Sequence, residues 1–168
     1  MSAVFRRRVA GGLLAASLAL GALVLPARAL TLEEAGKVVQ LLGELEPELG
    51  RLAYDEEEAD RWFDNDAGLD GRIAKAGFDR ESWKEALGAT FRGYLATIAA
   101  ERFEATFSGL TEKVDASDLN AEQKTEMRSF VEEKIAETRA LRAEGAQYID
   151  AVQPYAARLD ELLGDEEE

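Results

Sequence analysis

The sequence predicts an all-α fold, a single bundle of about four to five helices. Three observations lead there. Beyond residue 29 the apolar residues recur at steps of three and four, the period of one face of a helix. No strand-length stretch alternates apolar with polar. Only Pro47 and Pro154 interrupt the chain after residue 29.

The first 29 residues stand apart. Arg6, Arg7 and Arg8 form a basic start, and Val9 to Leu25 is an uncharged run of Leu, Ala, Val, Gly and Ser. Pro26 breaks the run, and Ala27-Arg28-Ala29 gives the small-x-small pattern that signal peptidase accepts. Residues 1–29 are therefore expected to be a cleavable signal peptide, cut after Ala29, which delivers the rest to the periplasm. The apolar run is short for the roughly 20 residues of a spanning helix, and Gly11, Gly12 and Gly21 weaken it as one. No membrane insertion is expected once the leader is removed. Residues 30–164 form the predicted helical domain and 165–168 a disordered acidic tail.

Thr31 and Glu34 open the first helix as a capping box, in which side chain and backbone satisfy each other's hydrogen bonds. Val38, Leu41, Leu42 and Leu45 form its buried face. Pro47 predicts a kink or short break near Glu46, with a continuation carrying Leu49, Leu52, Ala53, Ala59 and Trp62. Asp64 to Gly71 reads as a turn-rich loop, followed by a short helix around Ile73 to Ala76 that stops at Gly77. Asp79 caps the central helix, whose Trp83, Ala86, Leu87, Phe91, Tyr94, Leu95, Ile98, Ala99 and Phe103 make a face wide enough for neighbours on more than one side. Gly88 and Gly93 are costly inside a helix and suit close approach by another.

Gly109 and Asp115 to Asp118 mark breaks before a further capping box, Asn120 with Gln123. The helix behind it places Met127, Phe130, Val131, Ile135, Thr138 and Leu141 on one stripe, an amphipathic and peripheral pattern that Gly145 ends. The last segment carries Tyr148, Ile149, Val152, Tyr155, Leu159, Leu162 and Leu163, with Pro154 opening its second half.

Gly77-Phe78 followed by Trp83, then Leu119-Asn120-Ala121-Glu122-Gln123-Lys124, then Val152-Gln153-Pro154-Tyr155 with Leu159 and Leu162 occur in that order behind the leader. Together they resemble an uncharacterised group of small helical periplasmic proteins of Gram-negative bacteria. The resemblance covers most of the chain after residue 29. It implies a fold and a compartment, and it implies no activity and no site residues.

Composition narrows the chemistry. The 168 residues hold no His and no Cys. That removes the usual general base near neutral pH, the thiolate nucleophile and the nitrogen and sulfur ligands of zinc, copper and haem sites. No enzyme activity and no cofactor are expected. The chain has 20 Lys and Arg against 34 Asp and Glu. The leader takes four of the bases and none of the acids, so residues 30–168 carry 16 against 34, a balance of −18. A chain this acidic repels nucleic acid and attracts basic partners. The expected partner is another envelope protein of basic character.

Two candidate sites share one stretch. Asp55, Glu56 and Glu57 beside Trp62 and Phe63 combine acidity with aromatic anchors, a pattern for binding a partner. Asp64, Asp66 and Asp70, with Asn65, offer the oxygen ligands that a hard cation such as Ca²⁺ takes. Counted from Asp66 as an EF-hand loop, however, position twelve is Gly77 where a bidentate Glu belongs. The competing reading is a turn rich in Asp, Asn and Gly because those residues form turns. The run Asp55 to Asp60 also lacks the two contrasting environments that paired-carboxylate hydrolysis needs, and reads as a solvated face.

Overall fold

The computed structural model describes residues 29–52 and 54–163. Residues 1–28 of the predicted leader, the predicted tail 165–168 and the predicted core position Ala53 lie outside the described residues. What is described is helical throughout, with no strand. Its main members are α1 (Leu32–Leu49), α2 (Glu56–Gly68), α4 (Arg80–Thr97), α7 (Ala121–Gly145) and a C-terminal segment. Shorter pieces are α3 (Arg72–Lys75), α5 (Ala100–Phe107) and α6 (Leu110–Ala116). The C-terminal segment joins a 3₁₀ turn at Ala146–Tyr148, α8 (Ile149–Val152), a second 3₁₀ turn at Gln153–Tyr155 and α9 (Ala156–Leu163). This is close to the predicted bundle of four to five helices, with more breaks. No helix among the described residues is long and apolar enough to cross a membrane.

Three starts follow from local chemistry. Thr31 accepts from the Glu34 amide at 3.1 Å while the Glu34 carboxylate accepts from the Thr31 amide at 3.0 Å. Asn120 and Gln123 repeat the exchange at 3.0 and 3.1 Å. Asp79 accepts from the Ser82 amide at 2.8 Å, and Ser82 Oγ accepts from the Asp79 amide at 3.0 Å. Each box satisfies N–H groups that the first turn leaves without intrahelical partners.

Helix α4 is the hub. Its buried residues, among them Trp83, Leu87, Thr90, Gly93 and Leu95, lie around most of its circumference, and it packs against α1, α2, α7 and α8. Trp83 Nε1 donates to Ala59 O at 3.0 Å, which fixes α4 to α2. From the other helices come Val38, Leu42, Leu45, Trp62, Ile73, Val152 and Leu159, all buried. Gly93 and Gly145 set how closely α4 meets its neighbours. A Cβ on Gly93 would lie 2.7 Å from Val152 Cγ2, and one on Gly145 would overlap the carbonyl oxygen of Arg92. Gly88 instead makes room for the Tyr54 hydroxyl, whose ring stacks on Phe91 at 4.4 Å.

Three boundaries differ from the sequence reading, and a fourth falls at the residue expected for a different reason. Helix α1 runs through Pro47, which falls in its last turn and removes one backbone bond there; the stop is Gly50, at φ 84°. The central helix breaks at Ile98 and Ala99, which take extended angles, and resumes as α5; Arg142 donates to Ile98 O at 2.7 Å and satisfies a carbonyl freed by the break. Helix α2 continues to Gly68, through half of the predicted loop. Gly145 ends α7 with ordinary helical angles, so glycine is required there by the crossing rather than by a turn.

At the C-terminus, Arg51 donates from Nε to Leu162 O at 3.1 Å and from a terminal nitrogen to Glu161 O at 2.9 Å. A guanidinium on the last carbonyls of α9 both bonds them and opposes the negative end of the helix dipole.

Candidate functional site

The acidic stretch that the sequence singled out is largely consumed by the fold. Asp55 caps α2, accepting from the Glu58 amide at 2.5 Å. Glu56 opens that helix, and Glu57 is exposed on its first turn. Ala59, Trp62 and Asp66 follow at steps of three and four and form the inner face, all buried. Trp62 is 1% exposed, so it is a core residue rather than an interface anchor. Its indole N–H has no acceptor among the described residues. Phe63, the adjacent residue, points elsewhere and is half-buried beneath the Arg80 guanidinium, 5.0 Å from the ring centre.

The same geometry separates the three candidate cation ligands. Asp66 is 1% exposed. Its carboxylate accepts from the Arg72 amide at 3.0 Å and the Ile73 amide at 2.8 Å, which makes it the cap of α3 reached across the tight turn at Gly71. Asp64 lies on the outer face of α2 and pairs with Arg80. Asp70 pairs with Arg72 at 2.9 Å. The three carboxylates therefore diverge, each onto its own donor. Among the described residues no group of three or more Asp or Glu side chains is placed to hold a metal ion.

Neighbouring charges complete the network. Asp60 accepts from Lys84 at 2.9 Å and from Arg80 at 3.2 Å, and these contacts, Lys84 first, hold its carboxyl below the usual aspartate range. Arg72 reaches Glu48 at 2.6 Å and Glu44 O at 2.7 Å. It depresses the Asp70 carboxyl in turn. Farther along α4, Asp160 accepts from Arg102 at 2.7 Å and from the Tyr94 hydroxyl at 2.8 Å, and both lower its pKa.

The chain matches no family model, no curated protein and no solved structure. The resemblance to small periplasmic proteins thus rests on the sequence motifs alone.

Open depressions of about 300 and 330 Å³ lie beside Gln40 and Arg72 and beside Phe107 and Arg139, and two further surface features bear on binding. One is a cleft of about 120 Å³ between the start of α1 and α4, bordered by Leu30, Glu34, Glu85, Arg92 and Tyr148. It is well below the roughly 300–1,000 Å³ of common small-molecule sites, and Glu34 is already engaged in its capping box.

The other is on α7, where the sequence reading put Met127 and Phe130 on one stripe with residues 131, 135, 138 and 141. Phe130 is 54% exposed and Met127 41%. Residues at positions 131, 135, 138 and 141 turn toward the fold instead, half-buried. Helix α6 sets this rotation. Asp115 accepts from Arg128 Nε at 2.7 Å, its carbonyl accepts from Lys124 at 2.6 Å, and Val114 is buried behind them. Arg139, paired with Glu104, lies 5.7 Å from the Phe107 ring and fastens α5 to α7. With the inner face so fixed, Met127 and Phe130 face out. The signal available in the sequence was the pair Lys124 and Arg128, one turn apart and facing the Asp115 segment, but only a known α6 position makes it readable.

Proposed function

We propose that this is an exported, non-enzymatic interaction protein of the bacterial envelope that engages a basic partner protein. The observation that carries the reading is that the fold leaves many exposed acids uncompensated. Asp60 and Asp64 of α2 and Asp70 just beyond it meet Lys84, Arg80 and Arg72 of the same chain. Glu57, Glu81 and Glu85 on α2 and α4, and Glu101, Glu112, Glu122, Glu126, Glu132 and Glu133 on α5 to α7, are exposed and make no ion pair among the described residues. Charges paired within the fold contribute little to long-range attraction, whereas a field of one sign steers an oppositely charged partner. The missing His and Cys support a binding role over a catalytic one, and the N-terminal pattern supports export.

The test is crosslinking and affinity capture from periplasmic extract with the tagged protein, at low and at physiological salt. A dominant basic partner whose recovery falls with salt, and which rebinds when both proteins are purified, supports the reading. Recovery of no partner at either salt overturns it. N-terminal sequencing of the periplasmic fraction tests export separately, with Leu30 expected as the first residue.

A further inference from the structure

On the outer face of α7, one spot combines exposed apolar area with unpaired charge. Leu119, Gln123, Glu126, Met127 and Phe130 line a shallow depression along the first turns of α7. Met127 and Phe130 are three residues apart and so are neighbours on the helix surface. Glu126 and Glu133, four before and three after Phe130, flank the ring on its other side. Neither forms an ion pair among the described residues. Lys134, held by Glu137 at 2.7 Å, lies 5.8 Å from the Phe130 ring and still leaves that residue more than half exposed. Phe and Met are enriched in the centres of protein interfaces, and single-sign charge at the rim selects the partner.

We propose that this depression is a docking surface for an amphipathic helix of another protein, one whose apolar stripe covers Met127 and Phe130 while flanking Lys or Arg residues reach Glu126 and Glu133. The proposal rests on the interaction reading above and names the surface and the partner element. A helix is the fitting element because the described residues offer no strand edge for β-augmentation, while a groove along a helix takes anchors at helical spacing. The chain's net charge of −14 favours a basic occupant over a second copy of the chain.

The experiment is a calorimetric titration of the full chain with two peptides of identical Leu and Lys composition. One places Leu at helical spacing and the other is scrambled to lose its apolar face. The patterned peptide is expected to bind about tenfold more tightly, and the double variant Met127→Ser/Phe130→Ser to abolish that preference, since tenfold corresponds to one well-seated anchor. Both residues are exposed, and unchanged circular dichroism and melting verify that the variant folds. Glu126→Gln/Glu133→Gln is expected to weaken both peptides and flatten the salt dependence. If the preference survives in Met127→Ser/Phe130→Ser, the surface is wrongly placed while the interaction reading stands. Equal binding of the two peptides overturns the docking surface in favour of diffuse charge attraction. Failure of both peptides to bind counts against the interaction reading itself. A dimer that dissociates in Met127→Ser/Phe130→Ser overturns the proposed occupant in favour of a second copy.

Discussion

Replacing Gly145 by Ala tests the packing of the whole fold with one methyl group. The new Cβ would overlap the backbone carbonyl oxygen of Arg92 and lie 3.1 Å from Gly93 N. A side chain in the way can rotate aside, but a carbonyl in the middle of α4 is held by its helix. Relief to a contact near 3.5 Å requires the α4–α7 crossing to open by about 1 Å or more. Tyr148 and Val152, which pack against Gly93 at the same point, loosen with it. Overpacking of this kind costs about 1–3 kcal/mol, and a backbone obstacle places it at the top of that range. Ala recovers up to about 1 kcal/mol through its higher helix propensity. The net loss is about 2 kcal/mol, a fall in Tm of roughly 6–10 °C for a domain of this size. Gly68→Ala is the matched control, because nothing lies within 4 Å of the added methyl and the position closes α2. It is expected to leave Tm unchanged or raise it slightly. Thermal melts followed by far-UV circular dichroism measure both. A Gly145→Ala variant melting with or above the wild type would show that the crossing is not as close as described, and the account of Gly93 and Gly145 would fall together.

Asp66→Ala removes the acceptor for the amides of Arg72 and Ile73 in a buried setting, and is expected to cost about 2–4 kcal/mol in urea unfolding; the same melts with added Ca²⁺ should show no stabilisation of the wild type, and a saturable rise would restore a cation site. Trp83→Phe deletes the donor to Ala59 O and should cost about 1 kcal/mol or somewhat more, with a loss near zero refuting that bond as the α2–α4 link. The Asp160 carboxyl is depressed in the folded protein by Arg102 and Tyr94. Its contribution is therefore complete above the ordinary aspartate pKa and disappears as pH falls through the lower folded value. Asp160→Asn should melt below the wild type at neutral pH, with the gap closing in acid; a gap that is constant or widens in acid contradicts the assignment.

The elements legible in the sequence are those whose determinants lie within one turn of each other. Thr31 with Glu34, Asn120 with Gln123, and Asp79 at the start of α4 need only residues three apart, so each start could be placed without tertiary knowledge. The breadth of the central helix's apolar face was likewise visible, because a helix surrounded by neighbours must be apolar on several sides. Asp66 shows the opposite situation. Asp, Asn and Gly favour turns, and Asp64-Asn65-Asp66 carries that signal, yet α2 continues through it. What overrides the propensity is nonlocal. Arg80 holds Asp64 from the next long helix, and α3 folds back so that its first amides meet the Asp66 carboxylate. Trp62 follows from the same cause, since continuing α2 puts it in line with Ala59 and Asp66 on the inner face.

The distribution of charge carries the functional consequence of that distinction. A count of 34 acids against 20 bases says how negative the chain is but not which carboxylates are available. The sequence's densest acidic run, around α2, contains several groups whose partners are supplied by α3 and α4, so that much of its charge is structural. The acids of α5 to α7 are sparser in the sequence and more available in the fold, because α7 spends Lys124 and Arg128 on Asp115 and Arg139 on Glu104. The same contacts rotate Phe130 and Met127 outward. One set of interactions, between α7 and the short helices α5 and α6, thus both frees the glutamates and exposes the apolar pair. Removing Asp115 should disturb the two properties together, whereas changes to the α2 network should leave both in place.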